Sequence, residues 1–240
     1  MTVLTRMAVN PATRSGRKIV FNRQAMHAAV MAAFSPERHE EMEGRPLWRL
    51  DHDGHRHVLY VVSPVEPDLT HVVEQAGWAG ESWSSTDYGP FLTRLRTGQS
   101  WGFRLTANPV KNVAQAGARS KILPHVTPAQ QLWWLARRAE GWGFGLPLKS
   151  GELYVPGEEP SATDSEPPSV MVSNSQDERF GRKDAGRGGA KVTLRMAQFD
   201  GILHVTDAQR LREALVSGMG RAKAYGCGLM TLRPVVEGSA

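Results

Sequence analysis

The stretch Thr2-Val3-Leu4-Thr5-Arg6-Met7-Ala8-Val9 decides how the fold is read. Val3, Thr5, Met7 and Val9 fall on one side of an extended chain and Leu4, Arg6 and Ala8 on the other, which is the period of a strand. Asn10-Pro11 ends it. After a basic loop, Arg14-Ser15-Gly16-Arg17-Lys18, Asn22 stands where it would cap a helix from about Arg23 to Phe34, with Met26, Val30, Ala33 and Phe34 as its apolar stripe. Leu47 to Asp51 and His57 to Ser63 read as two strands joined around Asp53-Gly54. A short helix near Thr70 to Gln75 and a strand at Ser100 to Thr106 complete a β-α-β-β-α-β series, the order of the split unit seen in ferredoxin-like folds.

The second half partly repeats this logic. Thr127-Pro128 supplies an N-cap and a first-turn proline for a helix running to about Ala139. Val192 to Phe199 and Ile202 to Val205 read as a hairpin across Asp200-Gly201. Thr206-Asp207 would cap a helix through Leu211, Ala214 and Leu215, and Leu229 to Leu232 forms a last strand. Two α+β units of similar size, residues 1–108 and 109–240, are expected. Gly151 to Pro168 is acidic, rich in proline and without a basic residue, so residues 151–190 are expected to form a flexible insertion in the second unit.

With 40% apolar and 22% charged residues the chain has a globular composition. Its net charge of +5 and pI near 9.6 make an acidic partner plausible. From Tyr88 to Ala139 there is no Asp or Glu, while Arg94, Arg96, Arg104, Lys111, Arg119, Lys121, Arg137 and Arg138 lie in the window. Interleaved with Trp101, Phe103 and His125, this run favours a polyanion-binding face over a merely solvated one. The segment Arg179 to Lys191 is basic and glycine-rich; its arginines could reach phosphates, or the loop could be a plain hairpin tip. The lone Cys227 cannot form an internal disulfide, no signal peptide core follows Met1, and no apolar run would span a bilayer; a soluble cytoplasmic protein is expected.

Two features could carry chemistry. The run Gly218-Met219-Gly220-Arg221-Ala222-Lys223-Ala224-Tyr225-Gly226-Cys227-Gly228 follows a helix and precedes a strand, so it is neither a dinucleotide fingerprint nor a P-loop. It is either an anion cradle of backbone N–H groups with two cations and a ring, or a tight structural connection. His27 lies at the edge of the apolar stripe of its helix, where an imidazole could transfer a proton near neutral pH. Seven other histidines compete with it, and His52, His55 and His57 cluster at a turn, leaving a metal-dependent hydrolase as a distant alternative.

The segments Arg6-Met7-Ala8-Val9-Asn10-Pro11, Met26-His27, Leu47-Trp48-Arg49-Leu50, Phe103 to Pro109, Phe199 to Leu203 and Gly218 to Leu232 together resemble the CasE family of CRISPR-associated endoribonucleases, across nearly the whole chain outside about Gly151 to Ala190. The resemblance implies two tandem ferredoxin-like domains that bind RNA across them. It implies metal-independent cleavage of precursor CRISPR RNA at the base of the repeat hairpin, with 2′,3′-cyclic phosphate and 5′-hydroxyl ends and no cofactor. It also implies retention of the product as a subunit of the type I-E Cascade complex, beside other Cascade subunits and away from membranes. The family's catalytic histidine falls on His27. Arg14, Arg17, Lys18, Arg23, Arg104, Lys111, Arg119, Lys121, Arg182, Lys183 and Arg187 are the expected RNA-binding cations, with Gly218, Gly220, Arg221, Lys223, Tyr225, Gly226 and Gly228 in the loop. The chain departs from some relatives at Gln24, where a tyrosine can stand, and at Met31 and Ala32, where a lysine can appear. Those departures keep a non-catalytic, repeat-binding subunit as the alternative.

Overall fold

The structure is a computed structural model that describes residues 1–53, 56–115, 118–157, 167–181 and 191–235. Val3, Thr5, Met7 and Val9 are all buried in β1 (Val3–Val9), as their alternation requires. Thr13, not a loop residue, caps α1 (Arg14–Val20) by accepting from the Gly16 N–H, so the expected basic loop is a helix that turns Ile19 and Val20 inward. Asn22 caps α2 (Arg23–Met31), accepting from Gln24 and Ala25, and Met26 and Val30 face the core. A short α3 (Pro36–Glu41) precedes the hairpin β2 (Leu47–Asp53) and β3 (Arg56–Ser63), then α4 (Thr70–Ala76) and β4 (Ser84–Asp87).

These strands form an antiparallel sheet of order β2-β3-β1-β4, the ferredoxin-like arrangement. Its closing strand is Ser84–Asp87, paired with β1, and not Ser100 to Thr106. The latter belongs to β5 (Ser100–Ala107), which pairs with strands from the far end of the chain. A division after residue 108 therefore cuts β5 away from its own sheet.

After α5 (Gly89–Arg94) and β5 comes an independent two-stranded hairpin, β6 (Val110–Gln115) and β7 (Ala118–Pro124). Next are α6 (Pro128–Ala139), closed by a full Thr127–Gln130 capping box, and the two-residue β8 (Phe144–Gly145). The expected insertion contains a strand, β9 (Val170–Gly181), paired along β10 (Lys191–Val205). Because β10 is continuous, Asp200-Gly201 is not a turn. Gly201 sits in the strand because a Cβ there would meet the Ser169 carbonyl at 2.5 Å. The helix α7 (Ala208–Ser217), capped by Asp207, leads through the glycine-rich run to β11 (Met230–Pro234). The second sheet runs β11-β5-β10, with β9 and β8 along the far side of β10, and repeats the permutation of the first. The fold is α+β with two tandem ferredoxin-like units.

The first sheet is buried on both faces. Met7, Trp48, Leu59 and Val61 pack with the helices in one core, whereas Leu47 and Val62 join Phe103, Leu105, Trp134 and Phe199 in the core of the second unit. A buried polar junction adds to that contact. Arg49 is 1% exposed and donates to both carboxylate oxygens of Asp51 at 2.6 and 2.9 Å, to the carbonyls of Arg104 and Leu229, and to Thr231 Oγ1. One side chain of β2 thus ties together β5 and β11, 55 and more residues later.

Candidate active site

His27 is half-buried on α2, and burial pushes its imidazole below the ordinary histidine range, which favours the uncharged ring. Its edge meets the Tyr225 ring at 6.2 Å, and Tyr225 in turn packs on Phe180 of β9 at 4.6 Å. Tyr225 therefore links three elements remote in sequence: α2, the glycine-rich loop and β9. One turn earlier on α2, Arg23 stands 5.9 Å from the Trp48 ring and 3.7 Å from Glu178.

The loop that presents Tyr225 is held rigidly. The Trp48 indole donates to the Ala224 carbonyl at 3.2 Å, Lys223 Nζ donates to the Ser217 carbonyl at 2.7 Å, and Gly228 and Met219 close the loop base through a backbone bond. Gly226 has φ +81, and a Cβ there would sit 2.6 Å from the Trp48 ring, so no side chain fits. Ala222 also takes a left-handed φ, +59, which opens the short turn carrying Tyr225. Gly218, Gly220 and Gly228 share positive φ values. These turns make the run a tight connection between α7 and β11. The connection also sets one ring against the histidine and leaves Arg221 exposed. Lys223 loses some of its proton affinity to burial, and then to Arg45.

The remaining expected cations separate into groups. Arg14, Arg17 and Lys18 are exposed on α1, which packs beside α2. Lys111 and Lys121 are exposed on one face of the β6–β7 hairpin, since Lys121 lies opposite Val113, two residues from Lys111. Arg104 is different: its guanidinium reaches Asp200 at 2.5 Å and Asp51 at 3.5 Å, so it completes the junction around Arg49 and is not a free RNA contact. The side chain of Arg119 in β7, and Arg182, Lys183 and Arg187, lie outside the described residues. The acid-free window is thus spread over several elements. Arg137 and Arg138 lie over the rings of Trp133 and Trp134 at 5.0 and 4.7 Å. His52 and His57 face each other across β2 and β3 with centroids 4.5 Å apart, and His55 is outside the described residues. Among the described residues no three His, Cys, Asp or Glu side chains are placed to share a metal ion. No described helix is long and apolar enough to cross a membrane.

Arg49, Asp51, Phe180 and Trp48 are the important residues that motif reading left without a role. Only the burial of a charged pair inside Leu47-Trp48-Arg49-Leu50-Asp51 could have drawn attention to them.

A model of the CRISPR associated protein family matches residues 3–234. The CRISPR-associated endoribonuclease Cse3 of Thermus thermophilus is 32% identical over 241 residues, covering 96% of this chain and 99% of the relative. The CRISPR system Cascade subunit CasE of Escherichia coli is 25% identical over 150 residues, 59% of this chain and 62% of that one. A solved structure of Thermus thermophilus Cse3 bound to an RNA representing a pre-cleavage complex has a TM-score of 0.72 and 31% identity, covering 97% of this chain and 99% of that chain. With a family model spanning nearly all of its length and a full-length relative at this identity, the chain belongs to the CRISPR-associated protein family.

Proposed function

We propose that this protein is an endoribonuclease that cuts precursor CRISPR RNA within its repeat, at the base of the hairpin, and stays with the mature RNA as a Cascade subunit. The observation that carries this reading is the half-buried His27 imidazole, its proton affinity lowered by burial, set against the Tyr225 ring where the two units meet. The relatives' names, an endoribonuclease and a Cascade subunit, support it.

RNA brings its own nucleophile, so the protein has to align the strand, move protons and stabilise charge. A neutral imidazole is a proton acceptor. His27 takes the proton of the 2′-hydroxyl as that oxygen attacks the adjacent phosphorus. The bond from phosphorus to the 5′-oxygen breaks, and the leaving oxygen takes a proton from solvent water, while His27 later returns its own to solvent. The products are a 2′,3′-cyclic phosphate and a 5′-hydroxyl, with no metal required by the chemistry. Arg23 and Lys18 are the cations nearest in sequence to this helix face. Arg14, Arg17, Arg221 and the hairpin lysines Lys111 and Lys121 would hold phosphates of the stem, since the deep groove of an RNA duplex favours backbone contacts over base reading.

The test is a repeat-hairpin RNA in EDTA. The native RNA is cut, and the same RNA with hydrogen in place of the 2′-hydroxyl at the scissile nucleotide is bound but left whole. Cutting of the deoxy substrate would refute the internal nucleophile. Tight binding without cutting of the native RNA would instead support a non-catalytic subunit, the reading that Gln24, Met31 and Ala32 favour.

A further inference from the structure

Between the two units, beside the start of the histidine helix, lies a cleft of about 370 Å³, inside the roughly 300–1,000 Å³ range of small-ligand pockets. We propose that it is a pocket for one unpaired nucleobase of the bound RNA, stacked on Phe21 and read by Asn174 and Gln198. The inference rests on the RNA-binding reading above and adds to it a site for a nucleotide outside the stem.

Three observations converge here. Phe21 is 72% exposed at the corner between α1 and α2, and its plane stands edge-on to His57 at 6.1 Å. His57 lines the cleft together with His52, and its Nδ1 is shielded from solvent without a hydrogen-bond partner. Burial first, and His52 second, lower the proton affinity of His57.

The opposite wall is built by a β-bulge. The register of β9 against β10 shifts between Met196 and Gln198, which puts Asn174 and Ser175 opposite a single residue. Asn174 takes φ +48 there, a conformation that asparagine tolerates better than most side chains. Bulges re-aim side chains, and this one places Asn174 on the cleft, donating from Nδ2 to Gln198 Oε1 at 3.2 Å. Two carboxamides at a cleft wall offer the donors and acceptors that read a base edge.

The charges argue for a base and against a phosphate. Arg23, on the cleft wall, is matched by Glu178 at 3.7 Å, and Gln198 itself donates to Asp200. The lining therefore has no unopposed arginine or lysine, while an exposed ring beside paired amides is what a single-stranded base uses. Arg23 and His27 are one helical turn apart, about 6 Å along the axis, so the base held here would flank the scissile phosphate.

The experiment uses the uncleavable 2′-deoxy hairpin with 2-aminopurine placed, one position at a time, at each unpaired nucleotide flanking the stem. One position should be quenched on binding the full-length protein, and Phe21→Ala should abolish that quench. The same variant should weaken binding of the flanked RNA about 5- to 150-fold, the effect of losing one stacked base, and leave binding of the trimmed stem unchanged. Asn174→Ala should make the pocket accept different bases at that position with more equal affinity. The proposal is overturned if no position is quenched, or if Phe21→Ala weakens the trimmed stem as much as the flanked RNA. If the native hairpin is cut normally while no base is quenched, the pocket alone falls; if the protein does not bind the hairpin, both readings fall together.

Discussion

In the first unit the sheet β2-β3-β1-β4 ends in a four-residue strand and is covered on both faces, by helices on one side and by the second unit on the other. In the second unit the same strand permutation grows outward: β10 reaches 15 residues, β9 runs 12 beside it, and the β6–β7 hairpin is inserted ahead of α6. The two halves thus divide the work. The first offers a short, well-capped helix that fixes one histidine, and the second offers the long edges, the hairpin and the glycine-rich loop that can follow a polymer. A site composed at their junction depends on the units not moving apart, and the Arg49–Asp51–Arg104–Asp200 cluster ties them together with the shared apolar contact of Leu47 and Val62.

Breaking that tie should have the largest effect. Arg49→Met leaves Asp51 buried with only Arg104 at 3.5 Å, and removing one partner of a buried pair costs about 3 to 5 kcal/mol. Denaturant unfolding should show a loss of this size. A change below about 1 kcal/mol would mean that the junction is not what holds the units together.

The contact between the units at the site can be sharpened with Tyr225. If its ring orients the imidazole, Tyr225→Ala should slow single-turnover cutting by about 10- to 100-fold, the scale of a small misplacement, without much change in RNA affinity. Tyr225→Phe, which keeps the ring, should restore most of the rate. Equal damage from both variants would shift the role from the ring to the hydroxyl.

A smaller effect is expected from the extended half alone. Replacing Lys111 and Lys121 together by alanine should weaken hairpin RNA binding and flatten the dependence of log K on log salt by about one unit for each phosphate no longer neutralised. An unchanged salt slope would remove the β6–β7 hairpin from the RNA-binding surface.

Much of the fold was legible where its signals are local. The alternation of Val3 to Val9, the Asn22 cap and the Thr127-Pro128 start all depend on neighbours within a few residues. What escaped was set by partners far along the chain. The strand Ser100–Ala107 looks like the next strand of the first unit, and only its pairing with β10 and β11 assigns it to the second. Asp200-Gly201 has turn chemistry, but its glycine answers to the backbone at Ser169 and its aspartate to Arg104. Val170–Gly181 is polar on much of its length and lies between acidic and basic stretches, so nothing in its composition announces a strand.

The candidate site divides in the same way. His27 was readable from its place on a helix and from a family resemblance. Its ring partner Tyr225 was readable only as one residue of a loop. Arg104 looked like a free cation because Asp51 and Asp200, which neutralise it, lie 53 residues before and 96 after it.

The most direct test is single-turnover cutting of a repeat-hairpin RNA in EDTA by the native protein and by His27→Ala, with binding of the uncleavable RNA measured alongside. Loss of a proton-transfer group predicts a rate lower by about 10²- to 10⁴-fold with RNA affinity retained. Cutting by the alanine variant at the native rate would contradict the assignment of the imidazole and, with it, the account of the site.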